Sequence, residues 1–143
     1  MRYSFEPIGT HEGSVVYRSI VARSDPIVTD EDFAGLTSRM NTCLGQRWIW
    51  VIDFKDMQMS HCLPISYIWQ LYHLLHGDHQ DWLQRIWIKN VNPWIQMILL
   101  LLASAKIDVL PSDRVELFLE LQRRGCPVEL SNHLLADALP AVC

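Results

Sequence analysis

Apolar and polar positions alternate in blocks that change period along the chain. Residues 15–21 read Val-Val-Tyr-Arg-Ser-Ile-Val, short and β-branched, which predicts a strand that Pro26 closes. Thr29 followed by Asp30, Glu31 and Asp32 predicts a helix start, with a capping hydroxyl and acids where the exposed N–H groups carry positive charge. Phe33, Leu36, Met40 and, less regularly, Cys43 then keep helical spacing up to Gly45. Trp48-Ile49-Trp50-Val51-Ile52-Asp53-Phe54 is a continuous apolar run with an acid near its end, as in a strand covered on both faces of a parallel or mixed sheet.

The second half repeats the alternation. Pro64 opens a helix through Ile68, Leu71, Tyr72 and Leu75 that Gly77 stops. A strand follows at 86–91. Asn92-Pro93 supplies a cap and a first-turn proline for a helix from Trp94 to Ala105. Ile107 to Leu110 is the next strand. Ser112 caps a helix through Val115, Leu117, Phe118 and Leu121, closed by Gly125. Pro127 to Leu130 reads as short and extended, and the last residues as one more short helix. Strand and helix in turn predict an α/β fold: one domain over 1–143, core about 15–130, with a mixed, mostly parallel sheet of four or five strands covered by helices. A chain of 143 residues buries roughly 70% of its unfolded surface, enough for a core without staples.

The helix from Trp94 to Ala105 breaks the usual pattern. Its first ten residues are apolar except Gln96, whereas a helix covering a sheet has one apolar stripe and one polar stripe. Its outer face calls for a cover: neighbouring helices of the same domain, a bound apolar ligand, a partner chain or a membrane surface. The six Trp point to core, apolar site or partner surface alike. Trp48 and Trp50 belong to the core strand, and Trp69, Trp82, Trp87 and Trp94 fall around the central helices.

Charge and chemistry narrow the function. The net charge is −4 with no basic block, and the densest basic pair, Arg123-Arg124, sits at a helix end where cations suit the dipole. This excludes a phosphate-tracking nucleic-acid surface. Cys43, Cys62, Cys126 and Cys143 lack C-x-x-C spacing and read as reduced thiols. The first residues carry no apolar signal core, and the longest apolar run, Met97 to Ala103, is far short of the roughly 20 residues that span a bilayer. The expected setting is the cytoplasm. Phosphate-binding glycine motifs and the G-x-S-x-G elbow are absent, so neither a cofactor nor an enzyme is expected. His73, His76 and His79 have metal-like spacing, but Gly77 ends the helix before His79, and solvated histidines at a helix end are the simpler reading. Asp53 and Asp56 stand at a strand end, where a backbone-capping role outweighs Mg²⁺ binding. Asp53, Asp56, Ser60 and His61 form the best catalytic grouping if there is one.

Four segments, in order, resemble a known family. Trp50-Val51-Ile52-Asp53-Phe54-Lys55-Asp56-Met57-Gln58-Met59-Ser60-His61 resembles the CRAL-TRIO signature, a hydrophobic strand ending in Asp-x-x-Gly and closing on Ser-His. Residues 81–90 resemble its "Tyr-Pro-Glu-x-Leu…Ile-x-Asn" stretch, with Asn90 on the Asn. Lys106-Ile107 matches the pair that opens its next strand, and Cys126 to Leu130 resembles its Leu-Pro-x-Glu-Leu. The resemblance covers the lipid-binding lobe only, from about Val15 to Leu130. It implies that 94–105 is the gate helix over an apolar pocket holding a lipid or similar molecule, with Trp94, Ile95, Ile98, Leu102 and Trp87 as its lining and no metal. Asp56 in place of Gly, His79-Gln80 in place of Tyr-Pro and Ser131-Asn132 in place of Gly-Gly fit the divergent branch that binds small GTPases or other proteins. A protein partner or homo-oligomer is therefore the second expectation, with peripheral membrane contact a further one. The STAS fold, which alternates similarly but carries an Asp-Ser-Ser-Gly motif, is the structural rival.

Overall fold

In the computed structural model, which describes residues 4–20, 30–54, 65–90, 93, 96–97, 100–101 and 106–137, the run Trp48–Asp53 is the middle strand of a five-stranded sheet and is buried at every position. The strands are β1 (Glu6–His11), β2 (Ser14–Ile20), β3 (Trp48–Asp53), β4 (Leu83–Lys89) and β5 (Ile107–Val109), and they lie side by side in chain order. β1 pairs antiparallel with β2; the other three pairings are parallel. Four helices accompany them: α1 (Asp30–Asn41), α2 (Ile65–His76), α3 (Arg114–Arg123) and α4 (Val128–Asp137). Pro93, Gln96, Met97, Leu100 and Leu101, in the connection from β4 to β5, are also helical.

Alternation along the strands divides the interior into two cores. Trp48, Trp50 and Ile52 of β3 and Ile86 and Ile88 of β4 pack with Phe33, Leu36 and Met40 of α1 and with Tyr67, Leu71 and Leu75 of α2. The intervening Ile49, Val51 and Trp87 point the other way, onto Leu117 and Leu121 of α3 and Leu130 and Leu134 of α4. A one-residue irregularity sets Trp48 opposite Leu83 but Ile49 opposite Arg85. That bulge keeps Leu83 in the first core with Ile86. Trp50 satisfies its indole N–H inside the core by donating to Ser19 Oγ at 2.9 Å.

Four elements differ from the sequence expectation. β1 contains Pro7 and Gly9, a poor strand composition, and was not predicted. It forms at the sheet edge, where a missing N–H is tolerated, across a two-residue Glu12-Gly13 turn with both φ positive (49° and 81°). Residues 127–130, expected to be extended, instead lead into α4: Pro127 sits just ahead of the first helical residue, and Leu130 and Leu134, four apart, both bury. The cap of α3 is Asp113 rather than Ser112; its carboxylate accepts from Glu116 N at 3.0 Å. β4 also begins three residues earlier than expected.

Candidate interaction surface

The C-terminal ends of β3 and β4 carry a buried polar cluster. Asp53 and Lys89 are register partners on adjacent parallel strands, 0% and 1% exposed. Lys89 Nζ donates to Leu134 O of α4 at 2.8 Å and stands 4.0 Å from Asp53 Oδ2. Asn90, held at φ 57°, donates its side-chain amide to Asp53 Oδ1 at 2.8 Å. The strand-end acid engages the side chains of Asn90 and Lys89, and Lys89 clamps α4 onto the sheet. The lysine was missed in sequence; its signal is a cation inside an apolar strand, in register with an acid. Asp56, Ser60 and His61 lie outside the described residues.

The three histidines separate. His73 and His76 are exposed beside Trp69 and Tyr72 on α2. His79, expected to be solvated, is fully buried. It packs edge-on against Trp48 with ring centroids 5.4 Å apart, and its Nε2 lies 3.1 Å from Asn41 Oδ1. Burial pushes its pKa down, with Asp78 opposing and Lys106 adding to the shift. Lys106 donates to the carbonyls of Gln80 and Leu83, both at 2.6 Å, fastening the loop that holds His79 to the start of β5. Among the described residues no group of three or more His, Cys, Asp or Glu side chains is arranged to hold a metal.

Of the expected pocket lining, Trp94, Ile95, Ile98 and Leu102 lie outside the described residues. Trp87 sits in the second core, on the side of α3 and α4, edge-on to His11 at 5.3 Å and 5.5 Å below the Arg124 guanidinium. Of the helical residues described in this connection, Met97, Leu100 and Leu101 face solvent, the last 76% exposed. Their spacing places them on one stripe with Pro93.

A second apolar stripe follows directly. On α3, Val115, Phe118 and Leu119 are exposed at i, i+3 and i+4 while Leu117 and Leu121 fill the core. Val109 of β5 is exposed between the two stripes in sequence. Of the eleven large apolar side chains exposed among the described residues, seven lie between Met97 and Leu119, and α1 has none. These seven belong to β5 and the helical segments before and after it. Among the described residues β5 pairs only with β4 and is the last strand of the sheet. The Arg124–Asp108 ion pair, 2.7 and 3.1 Å, ties the end of α3 to β5.

Strand order equals chain order. Among the described strands no reversal occurs at which a crevice would open between strand ends, a common ligand site of α/β sheets. No described helix is long and apolar enough to cross a membrane. The chain matches no protein-family model, and no curated protein matches it.

Proposed function

We propose that this chain is a non-enzymatic assembly module that binds a second copy of itself through the β5 edge and the apolar stripes beside it. The finer fold in this reading is a CRAL-TRIO-like lobe in which the gate-position helix serves docking rather than lipid enclosure. The observation that carries the reading is the gathering of exposed Met97, Leu100, Leu101, Val109, Val115, Phe118 and Leu119 in one stretch of chain around one sheet edge. A two-fold interface places the same surface patch on both copies. β5 against its twin would extend the sheet and remove the edge.

The test is light scattering on the purified chain over about 1–100 μM, with native mass spectrometry on the same sample. The expected result is a mass twice that of the chain, reduced to one chain mass by Leu101→Glu with Leu119→Glu while circular dichroism is unchanged. A wild-type monomer at the top concentration would sink the proposal. If that monomer carried one apolar molecule extractable per chain, the lipid-pocket reading would replace it.

A further inference from the structure

The backbone of β5 has two sides. Ile86 N–H donates to Lys106 O, and Leu110 N–H donates to Ile88 O, both at 2.9 Å. Successive residues of a strand direct their N–H and C=O groups to alternate sides, so residues 106, 108 and 110 address β4. The N–H and C=O groups of Ile107 and Val109 point away from β4, and among the described residues they take no backbone partner.

The side chains divide between the two faces of the sheet. Asp108 is in register with Trp87 and lies on the α3 face, where Arg124 holds both of its oxygens at 2.7 and 3.1 Å. Ile107, on the other face, packs against the first core, and Val109 is exposed. Arg124 is fixed in turn: its Nε donates to Glu120 at 3.1 Å, and its guanidinium lies 5.5 Å from the centre of the Trp87 ring. Glu120 also accepts two bonds from Arg123. Two guanidinium groups therefore match two carboxylates. Arg123, Arg124 and Asp108 line, with Arg85 of β4, an open cleft of about 410 Å³.

We infer that two copies of the chain join β5 to β5, antiparallel, about a two-fold axis at Asp108, and that Arg124 is the residue that lets the two Asp108 carboxylates meet. This rests on the self-assembly proposed above and adds its register and its electrostatic key. With the axis at Asp108, Ile107 of each copy exchanges backbone bonds with Val109 of the other, so every outward group of β5 is matched. Centring the axis on Val109 would set Pro111, which has no N–H, opposite Ile107. The Asp108 register places that residue directly opposite its own copy, with Cα atoms ~4.5 Å apart. Like charges so placed repel. Arg124 on each side turns the pair into a charge-balanced Arg–Asp–Asp–Arg row. On the other face Ile107 meets the second copy's Val109, an apolar cross-strand pair.

Cysteine cross-linking reads the register. The background carries Cys62→Ser, Cys126→Ser and Cys143→Ser, which leaves Cys43, a buried thiol. In it, Asp108→Cys treated with diamide should give a covalent dimer that reductant reverses, because facing Cα atoms fall within the ~4.4–6.8 Å a disulfide spans. Val109→Cys should not, since its own copy lies two positions along the twin strand, beyond the ~7 Å limit. Light scattering supplies the second readout. At neutral pH, Arg124→Gln should raise the dimer Kd at least about tenfold, and Asp108→Asn in the same chain should bring it back to within about threefold. If Arg124 served only to tie α3 to β5, the second substitution would restore nothing. A monomeric wild type removes the assembly reading and this register with it. The register alone is overturned by a wild-type dimer in which Asp108→Cys fails to cross-link, Val109→Cys cross-links, Arg124→Gln has no effect, or Asp108→Asn does not rescue.

Discussion

Replacing Lys89 with Met tests how α4 is held. The change keeps the apolar stem but deletes the ammonium that donates to Leu134 O and faces Asp53, in a site where both side chains are at most 1% exposed. Two terms add. The Leu134 carbonyl loses its charged donor, and the Asp53 carboxylate loses the ammonium 4.0 Å away. Removing one partner of a buried ion pair costs about 3–5 kcal/mol, mostly because the other charge stays buried. For a domain whose whole stability is about 5–15 kcal/mol, with a urea slope near ~2 kcal/mol per M, the midpoint should fall by roughly 1.5–2.5 M. Urea unfolding followed by tryptophan fluorescence measures it directly. The double variant Asp53→Asn with Lys89→Met removes both charges and should recover more than half of the loss, since Asn90 can still donate to residue 53. Amide exchange should rise in α4 more than in α2. The clamp is refuted if Lys89→Met moves the midpoint by less than ~0.5 M, or if the double variant loses the sum of the single effects.

Other outcomes follow from the same geometry. Leu117→Ala, in the second core with no exposed surface, should cost about 2–5 kcal/mol, whereas Leu119→Ala on the exposed stripe of the same helix should stay within ~0.5 kcal/mol; chemical denaturation separates them. His79 has its folded pKa lowered by burial, so the unfolded chain takes up the proton first. The stability this contributes is whole above the unfolded value near ~6.5 and is lost as pH falls from there to the folded pKa, at up to ~1.4 kcal/mol per pH unit. His79→Gln should flatten that limb of a stability–pH curve, and an unaltered slope would contradict the assignment. Gly9→Val should destabilise by about 1–3 kcal/mol, because even a Cβ at Gly9 meets Leu130 Cβ at 3.1 Å; a neutral result in thermal unfolding would mean that α4 can retreat.

The alternation of strand and helix was legible because each buried strand and each core stripe carries its own period. Trp48–Asp53 reads as covered on both faces, and it is. Phe33, Leu36 and Met40 read as one stripe and bury together. β1 was not legible, since Pro7 and Gly9 argue locally against a strand; pairing with β2 and the approach of Leu130 decide it. His79 looked solvated because its burial depends on Asn41 and Trp48, which are distant in sequence. The over-apolar helix near residues 93–101 was legible as a face needing cover, and its exposed Met97, Leu100 and Leu101 agree with that. The stripe on α3 was not separated from the core, because Val115 and Phe118 have the same apolar character as Leu117 and Leu121. That Arg85 lines one cleft with Arg123 and Arg124 could not be read, because β4 and α3 are far apart in sequence.

The contact of α4 with β1 bears on how the chain is made. Residues 6–20 leave the ribosome before α4 and form a hairpin one face of which, with Ile8 and Val16, is covered by Leu130 and Leu134. More than a hundred residues separate the two. At ~5–20 residues per second, that face waits several seconds for its cover. During that interval the growing sheet has its first core but only half of its second, and a nascent chain cut short before residue 128 would present a bare apolar sheet face to whatever binds it. The arrival of α4 is therefore the step that completes the second core.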